Sequence, residues 1–316
     1  MTLNDALEGY WLTNRRNLSP ATVDDYSRTF RRLHIYLSAH QLPLAIEDIT
    51  PAHVNAFLNH LAGRGLSRKT QLNVWVALSS FWTWANNTLE LPHIIRHVPR
   101  PRPPRIQPQP YTADEIRRLL DAADYTAPWA GRVTGRPTRT RRATSLRDRA
   151  MMLVLLDTGM RASEICALRI DDYDRRAGKL VIRHGKGDKA RVVYIGQATR
   201  QALWRYIQDR VRRRDNTNIR PNEPLFATNT NQHMDRSQLL RMIRNCGQRA
   251  GVANVNVHRF RHTCAITMLR NGANALVVQE VLGHVDMSTI RIYVRIAEVD
   301  LEHAMRIASP VDIWRL

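Results

Sequence analysis

Hydrophobic residues at helical spacing dominate the first ninety-five residues of the chain. One amphipathic stripe consists of Val23, Tyr26, Phe30, Leu33 and Leu37. Intervals of three and four residues place such side chains on one face of an α-helix. Comparable stripes follow Thr50-Pro51 and Ser67, and hydroxyl residues and prolines are residue types that begin helices. The pattern therefore predicts an all-helical domain over residues 1–97.

The pattern breaks at residues 98–110, which carry six prolines and three arginines. Proline removes amide donors and favours extended backbone, so this segment is predicted to be a semi-rigid linker. Its arginines indicate either a linker that follows a charged ligand or a plain solvated spacer. A second domain is predicted over residues 111–316, including a C-terminal tail.

The second domain alternates between two hydrophobic periods. Thr112 and Glu115 form the capping box of a helix, and a strongly apolar helix ends at Gly159. Residues 125–145 lack a period and are predicted to be a flexible basic loop. Alternating side chains predict two strands of a hairpin, 179–183 and 191–195. Helical spacing returns over 198–213, 235–250, 256–270 and 275–282. The predicted fold class is mainly α with a small antiparallel β-sheet (α+β).

The charge of the chain narrows the choice of partner. Forty-eight basic residues against 28 acidic ones give a net charge of +20 among 316 residues, which favours a polyanion such as nucleic acid. A general arginine bias is the alternative explanation, because Lys69, Lys179, Lys186 and Lys189 are the only lysines. No apolar run reaches the length of a membrane span, and no signal peptide is recognisable. Three widely spaced cysteines form no disulfide framework, so a cytoplasmic protein is expected.

Basic and aromatic residues of the first domain invite a nucleic-acid interpretation. Arg64, Arg68 and Lys69 lie around a predicted helix start, where side chains and backbone N–H groups can both meet phosphate. These three residues are candidate DNA-binding residues. The nearby aromatic residues are interpreted as core rather than base-stacking groups; they are Trp75, Phe81, Trp82 and Trp84.

The C-terminal region contains the groups needed to break a phosphodiester bond without a metal ion. His258, Arg261, His284 and Tyr293 supply proton-transfer groups, a cation and a hydroxyl nucleophile. His258 and His262 also have the i, i+4 spacing of a zinc-binding helix. Arginines at 259 and 261 oppose a metal there, and the chain contains no phosphate-binding GxxxxGK[ST] loop. No cofactor is therefore predicted.

The sequence resembles the tyrosine recombinases of the phage integrase and Xer type. Five motifs in the family's order carry the resemblance: TGMRASEI at 158–165, HGKGDKAR at 184–191, HRFRH at 258–262, LGH at 282–284, and Tyr293. Each motif alone is weak, whereas the ordered and correctly spaced set is specific. The resemblance covers nearly the whole chain and implies a SAM-like core-binding domain before the catalytic domain.

The resemblance implies roles for the nucleophile and for the residues that bind the phosphate. Tyr293 would attack the scissile phosphate, which gives a 3′-phosphotyrosine and a free 5′-hydroxyl. Arg161 and Arg261 would hold the nonbridging oxygens, since a guanidinium binds phosphate through two donors and stays charged. Glu164 would support Arg161 rather than react.

The resemblance implies proton transfer for two further residues and a hydrogen bond to the phosphate for a third. Lys186 would protonate the leaving 5′-oxygen; Lys189 is the competing candidate, and Lys186 matches the family position between two glycines. A desolvated lysine can release a proton near neutral pH, unlike arginine. His258 would assist proton transfer from or to Tyr293, and His284 would donate a hydrogen bond to the phosphate.

The resemblance also implies an assembly and a reaction outcome. The family exchanges strands through a four-way Holliday junction, in a homotetramer on two sites in double-stranded DNA. The segment after Tyr293 resembles a tail that docks on a neighbouring protomer, and packing within its own chain is the alternative. Other functions remain open: a type IB topoisomerase-like enzyme with the same active site, or a non-catalytic DNA-binding regulator.

Overall fold

The computed structural model describes residues 1–104, 107–130, 137–183, 190–214, 218–283, 287–297 and 309–314. The chain forms two compact units, Met1–Ile106 and Gln107–Leu316. The boundary between the units falls within the proline-rich segment 98–110. Each unit has its own hydrophobic core.

The first unit is helical, as its hydrophobic spacing predicts. Its α-helices are α1 (Leu3–Asn14), α2 (Pro20–Ala39), α3 (Pro51–Gly63) and α4 (Arg68–Leu89). Side-chain caps explain all four starts, because the hydroxyls of Thr2, Ser19, Thr50 and Ser67 each accept a backbone N–H from the first turn. Helix α1 lies before the first stripe that the sequence analysis recognised.

The core of the first unit is rich in aromatic side chains. Phe81 and Trp82 are fully buried on α4, and Trp84 is 9% exposed. Trp75 is partly buried and donates its indole N–H to the Val98 carbonyl at 3.1 Å. These contacts confirm that the aromatic residues of α4 fill a core.

The second unit is mainly helical with two small sheets. Its α-helices are α5 (Ala113–Asp124), α6 (Ser145–Thr158), α7 (Ala162–Ala167), α8 (Gln197–Arg212), α9 (Arg236–Ala250), α10 (Val257–Arg270), α11 (Ala275–Leu282), α12 (Met287–Ala297) and α13 (Pro310–Trp314). Its strands are β1 (Trp129–Ala130), β2 (Pro137–Thr138), β3 (Tyr173–Asp174), β4 (Lys179–Ile182) and β5 (Arg191–Tyr194). The fold class, mainly α with a small antiparallel sheet, is confirmed.

The sheets extend the sequence prediction in two places. The predicted hairpin β4–β5 pairs Leu180 with Val193, and β3 adds a third antiparallel strand beside β4. The segment predicted as a loop without structure contains the antiparallel pair β1–β2. Two-residue strands are too short to leave a period in the sequence, which explains why neither β3 nor that pair was predicted.

Two hydrophobic clusters form the interior of the second unit. The larger cluster joins α5, α6, α8 and α9 with the three-stranded sheet. The smaller one joins α10, α11 and α12, and it includes Leu282, Tyr293 and Ala297. Ala297 is 6% exposed, so the start of the tail packs against its own chain up to that residue. The tail residues 298–308 lie outside the described ranges.

Two further features of the described chain are its cysteines and the hydropathy of its helices. Cys166, Cys246 and Cys264 are free thiols, and all three are buried. Within the described ranges, no helix combines the length and the apolar character that crossing a bilayer requires.

Candidate active site

Arg161 is positioned at the sharp turn between α6 and α7. Gly159 ends α6 in the left-handed conformation with φ +57°, where an added Cβ would lie 2.5 Å from the Leu282 side chain. Arg161 is the N-cap of α7, and its backbone N–H donates to Glu164 Oε2 at 2.8 Å. Its guanidinium donates to Glu164 Oε1 at 2.8 Å and to the Gly283 carbonyl at 3.1 Å. Glu164 therefore supports Arg161, as the sequence analysis expected.

Arg191 is a second partner of the same carboxylate, and sequence reasoning did not single it out. This residue begins β5, and its Nη1 and Nη2 donate to the two oxygens of Glu164 at 2.9 and 2.8 Å. Burial raises the pKa of Glu164, but hydrogen bonds and positive charge from Arg191 and Arg161 outweigh it and lower the pKa from 4.5 to about 2. Glu164 is thus a buried carboxylate that stays ionised.

Arg261 reaches the same place from α10. The helix begins at Asn256, whose side chain accepts the Arg259 backbone N–H at 2.9 Å. Arg261 is 6% exposed, and it donates to the carbonyls of Gly159 at 2.8 Å and Leu282 at 2.7 Å. Burial, and then the charge of Arg161, lower the pKa of Arg261 from 12.5 to about 10, so the group remains a cation at neutral pH.

The two arginines converge on one turn of the chain. Arg261 donates to the Leu282 carbonyl and Arg161 to the Gly283 carbonyl, so consecutive peptide groups at the end of α11 receive both cations. Position 284 follows immediately in the chain. Two residues one hundred positions apart in the sequence thus form a single cationic site.

Tyr293 lies against α10 from the neighbouring helix α12. It is 2% exposed, and its hydroxyl is hydrogen-bonded to His262 Nδ1 at 2.8 Å. Burial raises the pKa of Tyr293 above its ordinary value, so the phenol is neutral. Burial, and then the nearby His258 and Arg261, lower the pKa of His262 from 6.5 to about 4, which leaves an uncharged imidazole able to accept the bond.

His262 therefore contacts the predicted nucleophile, whereas the sequence analysis paired Tyr293 with His258. His258 lies one turn earlier on α10 and is exposed. Partial desolvation, and then Arg261 and Arg161, lower the pKa of His258. The i, i+4 spacing of the two histidines was the signal available in the sequence, and it was weighed only as a zinc motif.

Three predicted residues of the catalytic domain, Lys186, the competing Lys189 and His284, lie outside the described ranges.

The candidate DNA-binding residues lie in the first unit. Arg64 caps the C-terminal end of α3, and Arg68 and Lys69 open α4. All three of these side chains are exposed.

Comparison with known proteins agrees with this fold. Residues 110–299 match the phage integrase family, and residues 7–88 match the phage integrase N-terminal SAM-like domain. The tyrosine recombinase XerD of Mycobacterium tuberculosis is 31% identical, over 99% of this chain and 97% of its own length. That of Listeria monocytogenes is 25% identical, over 98% and 99% respectively. The structure of the Tn1549 transposon integrase in complex with a circular intermediate DNA has a TM-score of 0.74 at 17% identity, covering 100% of both chains.

The family match and these relatives define the class of the protein. The protein is an enzyme of the tyrosine-type site-specific recombinases, as the sequence predicted. The chain belongs to the phage integrase family.

Proposed function

We propose that the protein cuts and rejoins double-stranded DNA at a specific recombination site through a covalent bond to Tyr293. The observation that carries the proposal is the convergence of Arg161 and Arg261 on the carbonyls of Leu282 and Gly283. The buried cation Arg261 and the partly buried cation Arg161, with only partial acidic compensation, form a site for one phosphate. Relatives named tyrosine recombinases support the same conclusion.

The proposed first step is a transesterification that needs neither ATP nor hydrolysis. The Tyr293 oxygen attacks the scissile phosphorus and loses its proton to His258, and the bond from phosphorus to the 5′-oxygen breaks. Lys186 gives a proton to that oxygen, while Arg161, Arg261 and His284 stabilise the charge on the nonbridging oxygens. Attack by a 5′-hydroxyl reverses the reaction and releases Tyr293.

This step requires Tyr293 to change its partner. Its hydroxyl is bound to His262 and is nearly inaccessible. About one helical turn, about 6 Å along the axis, separates His262 from His258 on the same face of α10. Movement of α12 along that face would transfer the phenol from His262 to His258, so the position of α12 is a natural control point for cleavage.

The proposed outcome is strand exchange between two duplexes. A homotetramer on two DNA sites would exchange one pair of strands at a time through a Holliday junction. Arg64, Arg68 and Lys69 would contact backbone phosphates from the first unit, since all three are exposed around the start of α4. The net charge of +20 makes this binding sensitive to salt.

A nicked suicide substrate tests the chemistry. The bound DNA site is first found by selection from a random pool and footprinting, and a nick is then placed so that the cut strand cannot be rejoined. We expect a covalent protein–DNA adduct on a denaturing gel, and none with Tyr293→Phe. An adduct that persists in that variant, or that the native protein fails to form, refutes the mechanism.

A second assay separates recombination from strand passage. Two intact duplexes that carry the site should yield four-way junctions and exchanged products. Relaxation of supercoiled DNA without such products would instead indicate a topoisomerase-like enzyme, and DNA binding without any adduct would indicate a regulator.

A further inference from the structure

Arg191 occupies a position that the proposed chemistry does not explain. Its side chain is 10% exposed, although it stands at the first residue of a sheet-edge strand. It makes three bonds: two to Glu164, and one from its Nε to the Val281 carbonyl at 3.0 Å. Burying a guanidinium is unfavourable unless its donors are satisfied, so this side chain is held in one orientation.

Arg191 also packs directly against the turn on which the two arginines converge. A Cβ built on Gly283 would lie 2.7 to 2.9 Å from the Nη1, Cζ and Nε atoms of Arg191. Gly283 has φ +70°, and its carbonyl is the acceptor of Arg161. Arg191 therefore fills the space beside the Cα of Gly283, the residue whose carbonyl accepts from Arg161.

The charges explain why Arg161 needs this neighbour. The Glu164 carboxylate accepts four hydrogen bonds, two from Arg161 and two from Arg191. Arg191 donates one hydrogen bond to each oxygen of Glu164. The guanidinium of Arg161 therefore donates to Glu164 through Nη1 alone, and its Nη2 donates to the Gly283 carbonyl. Without Arg191, the buried carboxylate would be left with one cation, and the guanidinium of Arg161 would turn to form a two-donor pair with it.

We propose that Arg191 is a positioning residue of the recombinase, which neutralises Glu164 so that the charge of Arg161 remains available to the scissile phosphate. The inference rests on the proposed function, since it assumes that Arg161 binds that phosphate. Arg191 touches no reacting atom in this account. It also ties β5, the strand after the predicted lysine hairpin, to α7 and to the end of α11.

The test measures first-order adduct formation on the suicide substrate at saturating DNA. Arg191→Met should slow the reaction about 100-fold, a loss typical of a weakened cationic contact to a transition state. Arg191→Lys should lose less, because the ammonium keeps the charge but lacks the two-donor fork. Adding Glu164→Gln to Arg191→Met should recover at least about 10-fold of the rate, since no buried carboxylate then competes for Arg161.

A neutral substrate distinguishes positioning from general damage to the fold. A methylphosphonate at the scissile position removes the negative charge that Arg161 would neutralise. The slowing caused by Arg191→Met should therefore shrink to less than about 10-fold on that substrate. A merely structural defect would slow both substrates equally.

Arg210→Met is the matched control. Arg210 is 6% exposed, close to the 10% of Arg191, and it donates to the Glu223 carboxylate at 3.0 Å and to the Pro224 carbonyl, away from the site. This variant should lose stability like Arg191→Met but keep the adduct rate within about twofold once it is folded.

The outcomes separate the two proposals. If the native protein forms no adduct, the proposed function fails. Three outcomes would refute the positioning role if the native protein does form the adduct. In the first two, Arg191→Met forms it at the native rate, or is slowed equally on the charged and the neutral substrate. The third outcome is that adding Glu164→Gln to Arg191→Met recovers none of the rate.

Discussion

The turn that carries Arg161 and the helix that carries Arg261 hold their cations in different ways. Arg161 lies beside an ionised carboxylate, which it shares with Arg191. Arg261 has no acidic partner among the described residues and donates only to the carbonyls of Gly159 and Leu282. One guanidinium is therefore held by charge and the other by backbone dipoles.

The difference shows how a site can be preorganised for an anion without being neutralised. The four ionised side chains Arg161, Arg191, Arg261 and Glu164 sum to +2, because three cations surround one carboxylate. The pKa of Arg261 is lowered to about 10 by its burial first and by the charge of Arg161 second. Under the proposed function, a phosphate that entered the site would supply the missing negative charge.

Replacing each arginine by methionine is the strongest test of this contrast. Arg161→Met and Arg261→Met should both reduce adduct formation by about 1000-fold. Their effects on folding should differ. Arg261→Met should change the free energy of unfolding by less than about 1 kcal/mol, because relief of an unpaired buried charge offsets two lost hydrogen bonds.

Arg161→Met should instead destabilise the protein by about 1–2 kcal/mol, since it removes two hydrogen bonds of the buried Glu164 network. Urea unfolding of both variants measures the difference. A large destabilisation by Arg261→Met alone would show that its carbonyl contacts, rather than the Glu164 network, hold the site together.

Glu164→Gln tests the contribution of the Glu164 charge through the pH dependence of the free energy of unfolding. Since the pKa of Glu164 is lowered from 4.5 to about 2, ionisation of the carboxylate stabilises the folded state above pH 4.5. Glutamine should therefore reduce the free energy of unfolding at pH 7 by roughly 3 kcal/mol. The gap between the two proteins should narrow as the pH falls from 4.5 towards 2, because the wild-type carboxyl becomes protonated. A gap that is independent of pH would show that shape rather than charge makes Glu164 important.

The sequence predicted the fold class and a set of candidate site residues, but it did not predict the contacts that hold those side chains in place. Helix spacing was sufficient for the fold class, and the ordered motifs selected Arg161, Arg261 and Tyr293 as candidates. The support from Glu164 was expected, but Arg191 was missed because a pattern of strand residues does not indicate which side chain turns inward at a strand end. Its place at the end of HGKGDKAR was the one available signal.

The partner of Tyr293 was beyond sequence reasoning for a different reason. His258 and His262 share one face of α10, and only the placement of α12 along that face decides which one meets the phenol. Packing of Ile290, Tyr293 and Ala297 into the small cluster with α10 and α11 fixes that placement. Such packing depends on the tertiary structure, which no local pattern encodes.

His262→Asn should give the smallest effect, and it tests how the tyrosine is held. The asparagine oxygen can occupy the place of Nδ1, so the bond from Tyr293 and the stability at pH 8 should be kept. The pKa of His262 is lowered from 6.5 to about 4 in the folded protein. As the pH falls, His262 is therefore protonated in the unfolded chain before it is protonated in the folded protein, which favours unfolding. The free energy of unfolding of the wild type should therefore fall by about 1–2 kcal/mol relative to His262→Asn between pH 6.5 and 4, a range reduced for partial exposure.

His262→Phe is the control, because phenylalanine neither titrates nor accepts a hydrogen bond from Tyr293. Its free energy of unfolding should be lower by about 1 kcal/mol at pH 8. Urea unfolding across this pH range measures all three proteins, and equal stability of the Phe and Asn variants at pH 8 would show that packing of α12, rather than the hydrogen bond, holds Tyr293.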